Sequence, residues 1–194
     1  MRFLVRLQNQ GKFKPSDAGS LARSCYEVVR EYGADVGNLR VSSTAVELDL
    51  LLESKDALED STHALEGKLG SLLTVRELDT KTPQVQMDRA IREGIELFNE
   101  ERYWESHESL EAAWRQTEGP EKELLQGVIL IAAALVHLQK NDGKVALSVM
   151  GRAEEKLSRH HGESFGIDID RLHQNLSKMI AGGQLEFFKI QPNP

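Results

Sequence analysis

The polar segment 80–84, which contains Pro83, divides the chain into two parts that differ in the spacing of their apolar residues. Before this segment, stretches with an apolar residue at every second position alternate with stretches of helical spacing, whereas only helical spacing follows it. A proline among polar residues is typical of a linker, because proline continues neither a helix nor a central strand. The sequence therefore predicts an α+β protein with two domains, residues 1–80 and 84–194.

The N-terminal domain is predicted to contain its elements in the order strand, helix, strand, strand, helix, strand. This is the order of a ferredoxin-like domain, in which two helices pack on one face of a four-stranded antiparallel sheet. RNA-recognition modules share this order, but their third strand carries aromatic residues that stack on bases, whereas the third strand here contains Glu47 and Asp49. We therefore expect a domain for packing, pairing or regulation.

The C-terminal domain is predicted to be an all-α bundle of about five helices. Gly119-Pro120 and Asn141-Asp142-Gly143 separate the second, third and fourth helices, and Gly182-Gly183 ends the fifth. The third helix, 121–140, is apolar nearly all round, which is typical of the central member of a bundle. The polar segment 160–166 is predicted to be a loop.

Composition and charge exclude several classes of protein. The net charge is −7 and no dense run of Lys and Arg occurs, so nucleic acid is not an expected partner. The longest apolar stretch, 128–138, is shorter than the roughly 20 residues that cross a bilayer, so no membrane segment is predicted. Cys25 is the only cysteine, which rules out an intramolecular disulfide and favours the cytoplasm.

The second helix of the bundle holds the densest group of candidate functional residues. At about 100° per residue, five side chains fall in one sector of this helix, and we expect that sector to be buried. They are Tyr103, His107, Leu110, Glu111 and Trp114. An imidazole and a carboxylate on a buried face are costly unless each finds a partner.

Two interpretations of the His107 and Glu111 pair stay open. One turn apart, they can jointly hold a metal ion, or act as a base and its orienting partner. Alternatively, they form a structural latch that fixes how the helices pack. If the second and third helices pair about Gly119-Pro120, Gln126 lies opposite Glu111 and Gly127 lets these helices approach closely. Further candidate contributors to the site are Asn99, Glu100 and Glu108.

A family resemblance rests on residues linked to this helix. The pattern His-x-x-x-Glu-x-x-Trp is matched by His107, Glu111 and Trp114, and the neighbouring runs Gly94–Asn99, Gly119–Glu121 and Leu125–Gly127 fit as well. This part of the chain, roughly residues 88–157, resembles the prokaryotic domain-of-unknown-function 309 family. The resemblance implies an all-helical domain of unknown activity, in which the His and Glu of the pattern are suggested metal ligands. It does not cover the N-terminal domain.

The leading functional hypothesis is a protein that binds a metal ion, in particular a divalent one, or a small polar ligand at His107 and Glu111. The alternative from another class is a protein interaction scaffold that meets a protein partner or forms a homo-oligomer. A third hypothesis is a metal-dependent hydrolase, which requires an open coordination position and a water. The sequence leaves open whether the protein is an enzyme.

Overall fold

The computed structural model of the chain describes residues 1–79 and 86–190. The predicted linker at 80–84 and the predicted start of the next helix at Val85 lie outside the described residues. The chain divides into two compact units: unit 1 comprises Met1–Thr82 with Gln139–Asn141, and unit 2 comprises Pro83–Leu138 with Asp142–Pro194. Each unit is described separately below.

Unit 1 contains a four-stranded antiparallel sheet and two α-helices. The strands are β1 (Arg2–Gln8), β2 (Ala34–Val41), β3 (Ala45–Leu52) and β4 (Leu72–Glu77), and the helices are α1 (Ala18–Val29) and α2 (Ala57–Leu69). Hydrogen-bonded neighbours in the sheet follow the order β2-β3-β1-β4. Together with the helices of unit 2, this sheet confirms the predicted α+β class.

The alternation of residues in the strands divides the sheet of unit 1 into two chemically different faces. One face is apolar, and its side chains form a core with buried residues of the two helices, among them Cys25 and Leu65. Burial raises the pKa of the Cys25 thiol to about 11, so this cysteine is neutral and packs as a small apolar residue. The other face carries Arg6 on β1 opposite Glu47 on β3, which in turn lies opposite Arg40 on β2.

Unit 2 is mostly helical within the described residues. Its helices are α3 (Met87–Asn99), α4 (Tyr103–Trp114), α5 (Gly119–Gln139), α6 (Gly143–Leu157) and α7 (Ile169–Gly182). The predicted loop at 160–166 instead contributes to a small antiparallel hairpin, in which β5 (Glu163–Ser164) pairs with β6 (Ile167–Asp168). The expectation of an all-α domain is therefore wrong in this detail, because Phe165 and Gly166 both adopt positive φ and turn the chain tightly.

Two glycines mark the closest approaches between helices of unit 2. A Cβ atom at Gly94 of α3 would lie 2.6 Å from Leu110 Cγ of α4. A Cβ atom at Gly127 of α5 would lie 2.7 Å from Leu157 Cγ of α6. Gly127 was expected to bring the second and third bundle helices together, but its close neighbour is on α6. The helix that packs most tightly on α4 is α3.

The described part of the chain contains no helix that is both long enough and apolar enough to cross a membrane. The longest described helix, α5, has 21 residues and carries Glu121, Lys122 and Glu123 near its start. Its buried residues instead belong to the core of unit 2. Among them are Leu125, Val128, Ile131 and Leu135.

Candidate functional site

Helix α4 is oriented by its contacts with α3. Its fully buried residues are Tyr103, Ser106, Leu110 and Ala113. Ser106 Oγ donates a hydrogen bond to the carbonyl oxygen of Gly94 at 2.8 Å, and Ser109 Oγ donates to that of Ala90 at 2.9 Å. With Leu110 against Gly94, these bonds turn α4 so that Tyr103 and Leu110 of the predicted buried sector lie in the core, whereas His107, Glu111 and Trp114 lie at its edge. Neither serine was predicted to be a functional residue, because a small polar residue on a helical face is the only signal that either one gives.

His107 lies at this edge, half-buried. Its ring is stacked on the indole of Trp104, with ring centroids 6.0 Å apart and planes 2° from parallel. Its Nδ1 atom is buried and has no hydrogen-bond partner among the described residues. An imidazole nitrogen donates or accepts depending on its tautomer, so Nδ1 can bond either kind of ligand atom.

Glu111 is not buried, contrary to the sequence-based expectation. Its side chain is 38% exposed, and its Oε1 accepts a hydrogen bond from Arg115 Nη2 at 3.0 Å. This is an ordinary surface ion pair one helical turn long. Among the described residues Glu111 bonds neither His107 nor Gln126, which is half-buried on α5. The rotation of α4 toward α3 is the physical reason.

Trp114 and Tyr103 lie at the two ends of α4. The Trp114 ring is half-buried, with Lys122 Nζ lying 4.5 Å from a ring centroid, and its Nε1 is buried without a hydrogen-bond acceptor among the described residues. Tyr103 is fully buried, and its hydroxyl likewise has no partner in the described chain. Burial, with the nearby charge of Glu101, raises the pKa of Tyr103 far above its ordinary value, so the phenol keeps its proton as a donor.

These three residues form one line along α4, which we call the polar stripe: Tyr103, His107 and Trp114. At about 100° per residue they fall within a sector of about 40°. Buried polar atoms in proteins are nearly always hydrogen-bonded, and an unsatisfied one costs roughly 1–3 kcal/mol. The two ends of the stripe lie about 16 Å apart at 1.5 Å per residue, so its three unsatisfied atoms mark successive positions along α4 where a hydrogen bond from another molecule would be favourable.

Asn99 has a structural role. Its Nδ2 donates to the carbonyl oxygen of Ile190 at 3.0 Å, and its Oδ1 accepts from the backbone N–H of the same residue at 2.8 Å. These bonds hold the non-helical C-terminal segment, residues 184–190. In this segment the Phe187 ring lies 5.7 Å from that of Tyr103. Asn99 thus supports the stripe indirectly, by fixing the segment that covers Tyr103.

The start of α4 carries an ion-pair cluster that the sequence analysis did not identify. Arg102 donates to both carboxylate oxygens of Glu105, at 2.7 and 2.9 Å, and to Glu100 at 3.1 Å. The hydrogen bond to Glu105 is the main reason that the pKa of Arg102 is raised. The Arg-x-x-Glu spacing is the signal that could have revealed it. Glu108, another predicted contributor, is half-buried on the side of α4 away from the stripe.

The donor set bears on whether a metal ion fits here. Within residues 1–79 and 86–190, no group of three or more His, Cys, Asp or Glu side chains could hold a metal ion. His107 and Glu111 alone supply two ligands, and Glu111 is already paired with Arg115. Zinc sites in proteins use three or four protein ligands. The described residues therefore do not fit a metal ion at this position without ligands from elsewhere.

Unit 1 contains a second group of polar residues that the sequence analysis did not connect. Arg40 is 1% exposed, its Nη2 donates to Asp49 Oδ1 at 3.0 Å, and its Nε lies 3.5 Å from Glu47 Oε2. Arg2 donates to Asp49 at 2.7 Å, and Arg6 donates to Glu47 at 3.0 Å. We call these five residues the charged cluster.

The ionisation of Asp49 shows how well the charged cluster is satisfied. Burial by itself would raise the pKa of Asp49. The hydrogen bond from Asn38, the charge of Arg40 and the bonds from Arg2 and Arg40 outweigh it, so the pKa lies below its ordinary value. The carboxylate is thus ionised and accepts hydrogen bonds from three donors of its own unit, which leaves little capacity for a ligand.

Comparison with known families bears on unit 2. Residues 91–149 match the family model of the domain of unknown function 309 (DUF309). The predicted resemblance is confirmed over this segment, which contains α4 and the whole polar stripe. No match is found among curated proteins. Since the matching family has no known function, the functional argument depends on the geometry of the site.

Proposed function

We propose that unit 2 binds a small polar ligand at the polar stripe, with His107 as its central contact. The observation that carries this proposal is that Tyr103 Oη, His107 Nδ1 and Trp114 Nε1 are all buried without a hydrogen-bond partner in the described chain. Trp114 offers only a donor, the Tyr103 hydroxyl donates, and His107 does either. The expected ligand therefore carries acceptor atoms, such as carbonyl or carboxylate oxygens.

The proposal favours a polar molecule over a metal ion because the described donor set is incomplete for a metal. Metal binding at His107 and Glu111, and the metal-dependent hydrolase derived from it, stay predictions. The test below also distinguishes this proposal from the interaction scaffold. Substitution of His107 should destabilise the fold if the residue is a structural latch, but should not if it is part of a ligand site. For unit 1 we propose a ferredoxin-like arrangement with a packing or regulatory role, supported by the strand order β2-β3-β1-β4.

The test compares two adjacent positions of α4. Replacing His107 with Leu removes a nitrogen that bonds nothing in the described chain, so the free energy of unfolding should stay the same or rise. Replacing Ser106 with Ala removes the bond to Gly94 and leaves its carbonyl oxygen unsatisfied, which should cost about 1 kcal/mol or more. Both are measured by urea denaturation of the full chain.

The binding arm uses acetate, acetamide and zinc chloride as probes. A probe that prefers the folded protein raises its melting temperature by mass action. We expect acetamide to raise the melting temperature of the parent and of Ser106→Ala, but not of His107→Leu, whereas an effect of acetate that persists in His107→Leu would show binding away from the stripe. A loss of stability in His107→Leu, with no probe effect on the parent, would favour the latch and the scaffold. A shift caused only by zinc would restore the metal hypothesis.

A further inference from the structure

A cavity lies in unit 2 between the first turns of α7 and the C-terminal segment. Its volume is about 320 Å³, near the lower end of the range for small-molecule sites. The apolar part of its lining includes Leu172, which is buried, and Phe188, which is half-buried. This volume fits a single ring or a short branched chain. None of its lining residues belongs to the polar stripe, so this inference does not depend on the function proposed above.

The polar lining of the cavity has unused hydrogen-bonding capacity. Arg171, Asn175 and Lys189 make no side-chain hydrogen bond or ion pair with another described residue. The fourth polar residue is Asp168, whose Oδ1 accepts from the backbone N–H of Arg171 at 2.9 Å and so caps α7. The carboxylate of Asp168 is thus used to cap α7, whereas the side chains of Arg171, Asn175 and Lys189 are available to bond a ligand.

The charge in the cavity favours an anion. Two cationic side chains face one carboxylate across its lining. The N-terminus of α7, a helix of 14 residues, adds partial positive charge at the same end. Exposed cations alone are merely solvated, but here both line a concave surface that also has an apolar part. That combination matches a molecule with an anionic group and an apolar body.

We propose that this cavity binds a small organic anion. Its carboxylate or phosphate group lies between Arg171 and Lys189 and bonds the amide of Asn175, and its apolar body packs on Leu172 and Phe188. A guanidinium forms paired hydrogen bonds with either a carboxylate or a phosphate, so the cavity fits an anionic group of either kind. The relative affinities of a carboxylate ligand and a phosphate ligand show which of the two groups the cavity prefers.

The test measures binding to the full chain by titration calorimetry with four probes. They are benzoate, phenyl phosphate, inorganic phosphate and the neutral analogue benzyl alcohol. We expect saturable binding of benzoate or phenyl phosphate, and at least about tenfold weaker binding of inorganic phosphate and of benzyl alcohol. The tighter of the two aromatic anions identifies the anionic group. Equal binding of inorganic phosphate or of benzyl alcohol would overturn the proposal, as would no binding of any probe at millimolar concentration.

Matched variants locate the binding. Arg171→Gln and Lys189→Gln should each weaken binding of the aromatic anion about tenfold or more, since each removes a charge-assisted bond. Arg152→Gln and Lys178→Gln remove the same charges at exposed positions outside the cavity and should leave the affinity unchanged. An equal loss in all four variants would show attraction by overall charge only and would contradict the site. His107→Leu should not affect this binding, which separates this test from that of the polar stripe.

Discussion

The charged cluster of unit 1 and the polar stripe of unit 2 bury polar atoms in opposite ways. In the cluster, Arg40 and Asp49 bond each other and further residues on neighbouring strands. In the stripe, Tyr103, His107 and Trp114 each keep a buried polar atom that bonds nothing in the described chain. Burial alone therefore does not indicate a binding site. The proposal for the polar stripe depends instead on the unused hydrogen-bonding capacity of its buried atoms.

The largest effect should come from breaking the charged cluster. Replacing Asp49 with Leu leaves Arg40 buried without one of its two carboxylate partners, which should cost about 3–5 kcal/mol of unfolding free energy in unit 1. The matched control is Glu27→Leu, which breaks an exposed pair with Arg30 worth about 1 kcal/mol or less. Urea denaturation of the full chain measures both. Similar costs for the two would show that the cluster is solvated.

Acid should act on the same carboxylate. Because the pKa of Asp49 is lowered in the folded state, its contribution to stability is fully present above its unfolded pKa of about 3.9 and is lost as the pH falls through its folded pKa. The parent should therefore lose more unfolding free energy than Asp49→Asn between about pH 5 and pH 2. Chemical denaturation at a series of pH values tests this. Parallel pH profiles for the two proteins would assign the acid sensitivity to other groups.

The smallest effect should come from the stripe. Replacing Tyr103 with Phe removes a hydroxyl that has no partner in the described chain, so the unfolding free energy should change by less than about 0.5 kcal/mol or rise slightly. A buried tyrosine with a bonded hydroxyl would instead lose about 1 kcal/mol. Thermal denaturation of the full chain decides between them. A clear loss of stability would show that the hydroxyl is bonded and would narrow the stripe to two residues.

Local patterns in the sequence predicted most of the elements but not how they pack. Helical spacing predicted a helix over residues 103–118, because one apolar face repeats within a single segment, and the structure has α4 at Tyr103–Trp114. The orientation of α4 depends on Gly94 and Leu110, which are far apart in sequence and meet only when α3 packs on α4. For this reason Glu111 is not buried as expected. The spacing of side chains shows which residues share a face, but not which neighbouring helix that face packs against.

The sequence predicted which residues share a face of α4, but not that Glu111 on that face is 38% exposed. The polar stripe could be found because Tyr103, His107 and Trp114 lie on one helix at spacings that follow from helix geometry. The charged cluster could not, because Arg6, Arg40 and Glu47 lie on three strands whose pairing depends on register. The sequence shows the alternation of charged and apolar residues on β3, but it does not show which residues of β1 and β2 lie opposite those charges.

The bonds between Asn99 and Ile190 also define where the C-terminal segment, residues 184–190, lies along the bundle. A side-chain amide presents a carbonyl and an N–H much as a peptide group does, so Asn99 substitutes for one residue of a neighbouring strand. A slip of the C-terminal segment by one residue would carry Phe187 away from Tyr103 and Phe188 away from Phe98. The side-chain amide of Asn99 thus helps to set the position of the whole C-terminal segment relative to the helices.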